Sequence, residues 1–71
     1  MSRTITVRIT DKQGYGKAGY KVTTYSGDSA KTDADGECFV KVSGDDSIML
    51  EGTTIVKGME HSFKNPFKYE V

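Results

Sequence analysis

An internal disulfide is excluded from this chain, because Cys38 is its only cysteine. The only histidine is His61, so no Cys/His cluster can hold zinc. No apolar stretch approaches the roughly 20 residues that cross a bilayer, and no apolar signal segment follows Met1-Ser2-Arg3. The chain therefore reads as soluble, without membrane contact and cytoplasmic as sequenced; one free thiol fits a reducing compartment. Net charge is absent as well, with ten basic residues balancing ten acidic. A nucleic-acid partner is not expected, since such binding draws on a basic excess that releases counterions from phosphate. Helical periodicity is also missing: no window sustains apolar residues at three- and four-residue spacing.

At 71 residues the chain reads as a single domain, 1–71. A chain this short buries only about 60% of the surface its unfolded form exposes. With neither disulfide nor metal to help, its core must be efficient, or it must associate with itself or another chain.

What the sequence does have is alternation. Thr4 to Thr10 alternates polar and β-branched apolar residues, which predicts a half-buried strand with Ile5, Val7 and Ile9 inward. Tyr20 to Tyr25 alternates again, with Tyr20, Val22 and Thr24 on one face. Ala30 to Thr32 reads as a short strand, and Glu37 to Val42 as one with Cys38, Val40 and Val42 inward. Ile48 to Glu51, Thr54 to Lys57 and Phe67 to Val71 complete the set, with Gly58 to Pro66 a looser segment. Turn residues separate them: Asp11 to Gly19, Ser26 to Ser29, Asp33 to Gly36 and Ser43 to Ser47. Short strands punctuated this often predict a β-sandwich or small barrel. The two Ser-Gly-Asp turns, at Ser26 and Ser43, share a formula but do not establish an internal repeat.

Charge is segregated along the chain. Residues 1–27 carry five basic side chains and one acidic; residues 28–51 carry two basic and seven acidic. On a neutral chain this reads as two solvated surfaces.

The acidic stretch Thr32-Asp33-Ala34-Asp35-Gly36-Glu37 raises the question of a calcium loop. An EF-hand needs glycine at position 6 and a bidentate glutamate at 12. Counted from Asp33, those positions hold Cys38 and Gly44. A tight turn explains the same residues, with Asp33 accepting from the turn amides and Gly36 supplying a positive φ. Asp33 and Asp35 lie one strand-length, about 20 Å, from Asp45 and Asp46, so the two pairs cannot share an ion. Asp28, Asp45 and Asp46 fall at one end and read as solvated turn residues. No metal or cofactor is expected.

Gly14-Tyr15-Gly16-Lys17-Ala18-Gly19 matches a dinucleotide fingerprint, but strand formers follow it where that site needs a helix. It reads as a loop. Cys38 faces inward, where cysteine behaves as a small hydrophobe. His61 lies in a polar loop, and no glycine-flanked serine elbow occurs. Catalysis is not expected.

One set of residues falls on the wrong phase. Tyr25, Phe39 and Met49 point opposite to the core-facing residues of their strands, where alternation calls for polar side chains. On adjacent strands they would form one patch. Either the C-terminal segment, with Phe63, Phe67 and Tyr69, folds back over it, or it is an exposed contact surface.

The order of signals resembles a known group. A strand ending in aspartate (Val7 to Asp11), a glycine loop (Gly16-Lys17-Ala18-Gly19), a valine strand (Tyr20-Lys21-Val22) and the Thr32-Asp33-Ala34-Asp35-Gly36 turn recur in the carboxypeptidase-regulatory-like, transthyretin-like and collagen-adhesin B-type sandwiches. The resemblance covers about residues 4 to 57. It implies a small immunoglobulin-like β-sandwich of about seven strands, usually a module of secreted or surface proteins, which leaves an extracellular setting open. The isopeptide bond of many adhesin-type members does not carry over, since Arg8 stands where lysine is needed and the last strand has no Asn or Asp. The expectation is a non-enzymatic protein-binding module with Tyr25, Phe39 and Met49 as anchors. The alternatives are a self-assembling structural or decorating subunit, and a carbohydrate-binding module using the loop aromatic Tyr15.

Overall fold

Alternation becomes seven strands in the computed structural model, which describes residues 2–71. They are β1 (Ser2–Thr10), β2 (Lys21–Thr24), β3 (Ser29–Lys31), β4 (Glu37–Ser43), β5 (Asp45–Leu50), β6 (Thr53–Met59) and β7 (Phe67–Glu70). A short 3-10 helix, Glu60–Ser62, joins the last two. The strands form two sheets, ordered β4-β1-β7 and β3-β2-β5-β6. β1 is antiparallel to β4 and parallel to β7, and every pairing in the four-stranded sheet is antiparallel. The two sheets make a small all-β sandwich. No helix among the described residues is long and apolar enough to cross a membrane.

The core is the inward phase of each strand. Ile5, Val7 and Ile9 meet Val22, Cys38, Val40, Val42, Ile48 and Leu50, with Phe63 at the edge. Burying each large aliphatic side chain contributes about 1.5–3 kcal/mol. Cys38 packs here as a hydrophobe. Burial, reinforced by the nearby Asp33 carboxylate, pushes its thiol up to about 11, so it stays protonated and unreactive at neutral pH.

Asp33 forms the turn that its sequence suggests. Its Oδ1 accepts from the amides of Asp35 and Glu37 at 2.9 and 3.0 Å, and its carbonyl accepts from Gly36 N–H. Asp11 repeats the arrangement: Oδ1 accepts from Gln13 and Tyr15 amides, and the carbonyl accepts from Gly14 N–H. Thr24 repeats it with a hydroxyl, Oγ1 accepting from Asp28 N–H and the carbonyl from Gly27 N–H. In all three loops the fourth residue is a glycine at positive φ. The repeated unit is thus Asp/Thr-x-x-Gly-x at residues 11, 24 and 33. Ser43-Gly44-Asp45 is built differently, as a one-residue corner between β4 and β5.

That corner is one of four places where the chain changes sheet. β1 to β2 and β3 to β4 cross at one pole; β4 to β5 and β6 to β7 cross at the other. At the first pole the two crossings touch backbone to backbone. Ile9 donates its N–H to Gly36 C=O and accepts from Lys17 N–H, both at 2.8 Å. A methyl group on Gly16 would run into the Asp35 carbonyl, and one on Gly36 into the Ile9 carbonyl and the Gly16 Cα. Buried Thr32 completes the junction, its hydroxyl donating to Lys17 C=O at 2.6 Å and accepting from Tyr20 N–H at 3.0 Å.

Position 36 combines this contact with a left-handed φ of 79°, whereas Gly19, at 82°, faces open space. Gly19→Ala should cost about 1 kcal/mol from backbone strain alone. Gly36→Ala adds overpacking and should cost at least about 3 kcal/mol. Urea unfolding of the two variants checks this; equal losses would show that the junction yields without penalty.

Candidate functional site

The sandwich is closed along one flank and open along the other. On the closed side β4 packs against β2 and β3. Asp28 bridges the gap there, its Oδ2 accepting the Lys41 N–H at 2.7 Å. This occupies an edge amide of β4. On the open side β6 ends one sheet and β7 ends the other, with no ladder between them.

A cleft of about 440 Å³ lies between those edges. Val56, Phe63, Pro66 and Phe67 give it an apolar lining, and Lys57, Lys64 and Lys68 stand around it. Among the described residues, none of these lysines has a carboxylate within 4 Å. The cleft follows from how the chain passes from β6 to β7. Arg3 Nη1 donates to the carbonyls of Glu60 and Phe63 at 2.9 and 2.8 Å, tying the 3-10 helix to β1 and directing Phe63 into the core. Asn65 Oδ1 then accepts the Thr6 N–H at 3.0 Å, in the place of a strand partner, just before β7 begins.

The residues singled out by phase do not come together. Tyr25 and Met49 share the outer face of the four-stranded sheet: Met49 pairs with Thr23, and Tyr25 N–H donates to Ser47 C=O. Phe39 lies on β4 in the other sheet, opposite Thr6. The single patch is therefore corrected to two separate surfaces. The covering segment is corrected too. β7 pairs beside β1 rather than over either face, Phe63 enters the core, and Tyr25 and Phe39 remain 79% and 64% exposed. Met49 is half-buried. Tyr15 is 69% exposed in the Asp11 loop, at the opposite pole from Tyr25.

A shallower depression of about 250 Å³ is lined by Tyr25, Asp45, Asp46, Ser47 and Lys57. Asp46 was expected to be a solvated turn residue, as were Asp28 and Asp45. Instead it is 4% exposed, in phase with Ile48 and Leu50, at the polar end of the core. Its carboxylate accepts from Ser26 N–H, Ser26 hydroxyl, Ser43 N–H and Ser47 N–H at 3.1, 2.6, 2.9 and 2.8 Å. Asp28 is likewise engaged, on Lys41. The cleft lysines were not legible in advance: residues 52–71 carry Lys57, Lys64 and Lys68 against Glu60 and Glu70, too slight an excess to stand out.

Comparison with protein-family models, curated proteins and solved structures returns no match.

Asp46 makes stability depend on pH. Burial pushes its carboxyl up, but the hydrogen bonds from Ser26, Ser43 and Ser47 outweigh this and hold it below the ordinary value. A carboxyl lowered by folding contributes stability above its unfolded value, near pH 4, and loses it as pH falls through the folded value. Asp46→Asn should therefore cost about 2 kcal/mol or more at pH 7. The gap from wild type should narrow below about pH 4. Unfolding curves for both proteins from pH 7 to pH 2 check this; a gap that does not change with pH would remove the carboxylate from the account.

Proposed function

We propose that the chain is a non-enzymatic protein-binding module, and that its binding site is the cleft between β6 and β7. The observation that carries this is an apolar cleft flanked by two free strand edges. Clefts of this size with an apolar lining and a few converging polar groups suit side-chain capture, and free edges suit strand addition. The finer fold reading, a member of the carboxypeptidase-regulatory-like and transthyretin-like sandwiches, draws support from seven strands in two sheets and from the Asp33 turn seated on the glycine loop.

Peptides selected from a random displayed library on the purified chain should converge on one consensus. That consensus should fail on a folded Val56→Asp variant. Selection without a consensus, or one indifferent to Val56→Asp, would overturn the reading.

Self-assembly is the second reading, and Phe39 favours it as a large apolar side chain 64% exposed on an otherwise polar sheet face. On that reading, sedimentation equilibrium should show wild-type oligomers that Phe39→Asp converts to folded monomer. A wild-type monomer at all concentrations sinks it.

A further inference from the structure

The geometry points to an acidic, extended segment of another protein as the occupant of the β6–β7 cleft, paired along the outer edge of β7. This rests on the protein-binding reading and adds what the site selects. The first support is backbone direction. Val71 donates its N–H to Thr10 C=O, which turns Val71 toward β1. In a ladder, residues facing the neighbour alternate with residues facing away. Phe67 and Tyr69, opposite Val7 and Ile9, therefore bond to β1, and Lys68 and Glu70 present their N–H and C=O to the open side. An added strand can bond there without displacing anything.

The second support is charge. Lys57 comes from β6, Lys64 from the segment before β7 and Lys68 from β7 itself, so three elements bring lysines to the border of one cleft. No acidic residue lines it. Glu70 lies beyond Lys68, toward the end of β7, and Asp45 and Asp46 line the neighbouring depression on the other side of Lys57. Carboxylates at alternate positions of an added strand would meet these lysines, while the apolar side chains between them enter against Val56, Phe63 and Phe67. A basic or neutral strand would leave these lysines without a counter-charge.

The test is the charge of peptides selected from a random displayed library, on wild type and on Lys57→Glu/Lys64→Glu/Lys68→Glu. Wild type should select alternating acidic and apolar residues, and the reversed variant a basic counterpart. A synthetic copy of the acidic consensus should bind wild type in a salt-dependent way. Single Lys68→Gln, with its fold checked by a melting curve, should weaken it about threefold. Amide shifts should centre on Lys68 and Glu70. A consensus that needs Val56 but carries no acidic residues, or one unchanged by charge reversal, overturns this inference while leaving the module reading intact. No consensus at all defeats both. A wild-type dimer that charge reversal dissociates would make a second copy the occupant, and also overturns it.

Discussion

Everything else in the sandwich depends on the seat of the Asp33–Gly36 turn on the Gly16 loop. The two connections that cross between sheets at that pole lie against each other with no side chain between them. Their separation fixes how far apart the sheets can stand, and hence whether Ile9, Val22 and Cys38 meet in the core. The opposite pole is held in a different way. Gly44 and Glu60 exchange bonds, Glu60 N–H to Gly44 C=O at 2.7 Å and Gly44 N–H to Glu60 Oε1 at 3.0 Å. Asp46 gathers the amides of Ser26, Ser43 and Ser47 behind them. One pole is thus fixed by close backbone approach and the other by a buried carboxylate, which suits a chain too short to rely on core volume alone.

The two flanks are managed just as unequally. Asp28 occupies a free amide on the β4 side, a common means of blunting an exposed edge. Among the described residues the β6 and β7 edges have no such cover, and Lys57, Lys64 and Lys68 border the apolar cleft between them. Lysine on an edge discourages self-pairing while still admitting an oppositely charged strand. On the proposed reading, Lys57 on β6 and Lys68 on β7 would serve both ends.

Strand positions were legible because period-two alternation with β-branched residues has one physical solution, a half-buried strand. The Asp33 turn was legible because an aspartate followed by glycine three residues later satisfies its own amides locally. What alternation cannot reveal is which sheet a strand joins. Phe39, Tyr25 and Met49 all point outward as their phase requires, yet β4 pairs with β1 while β2 pairs with β5. Asp46 was misread for a related reason. A carboxylate beside Gly44 looks like turn chemistry until the strand is seen to start at Asp45, which puts residue 46 in phase with Ile48 and Leu50. The cleft lay further out of reach, because it exists only where two consecutive strands, β6 and β7, finish as edges of different sheets.

The order β4-β1-β7 has one more consequence. No two neighbours in that sheet are joined by a hairpin, whereas the four-stranded sheet contains two, β2–β3 and β5–β6. Joining Val7 to Phe67 closes a loop of 60 residues, taken as 67 minus 7. The entropy of such a closure is about 3.6 kcal/mol from its length-dependent part. It is recovered through a strand of only four residues. The three-stranded sheet therefore contains no hairpin and rests on contacts between residues far apart in the chain, and the β7 wall of the cleft is the strand held at the greatest sequence separation.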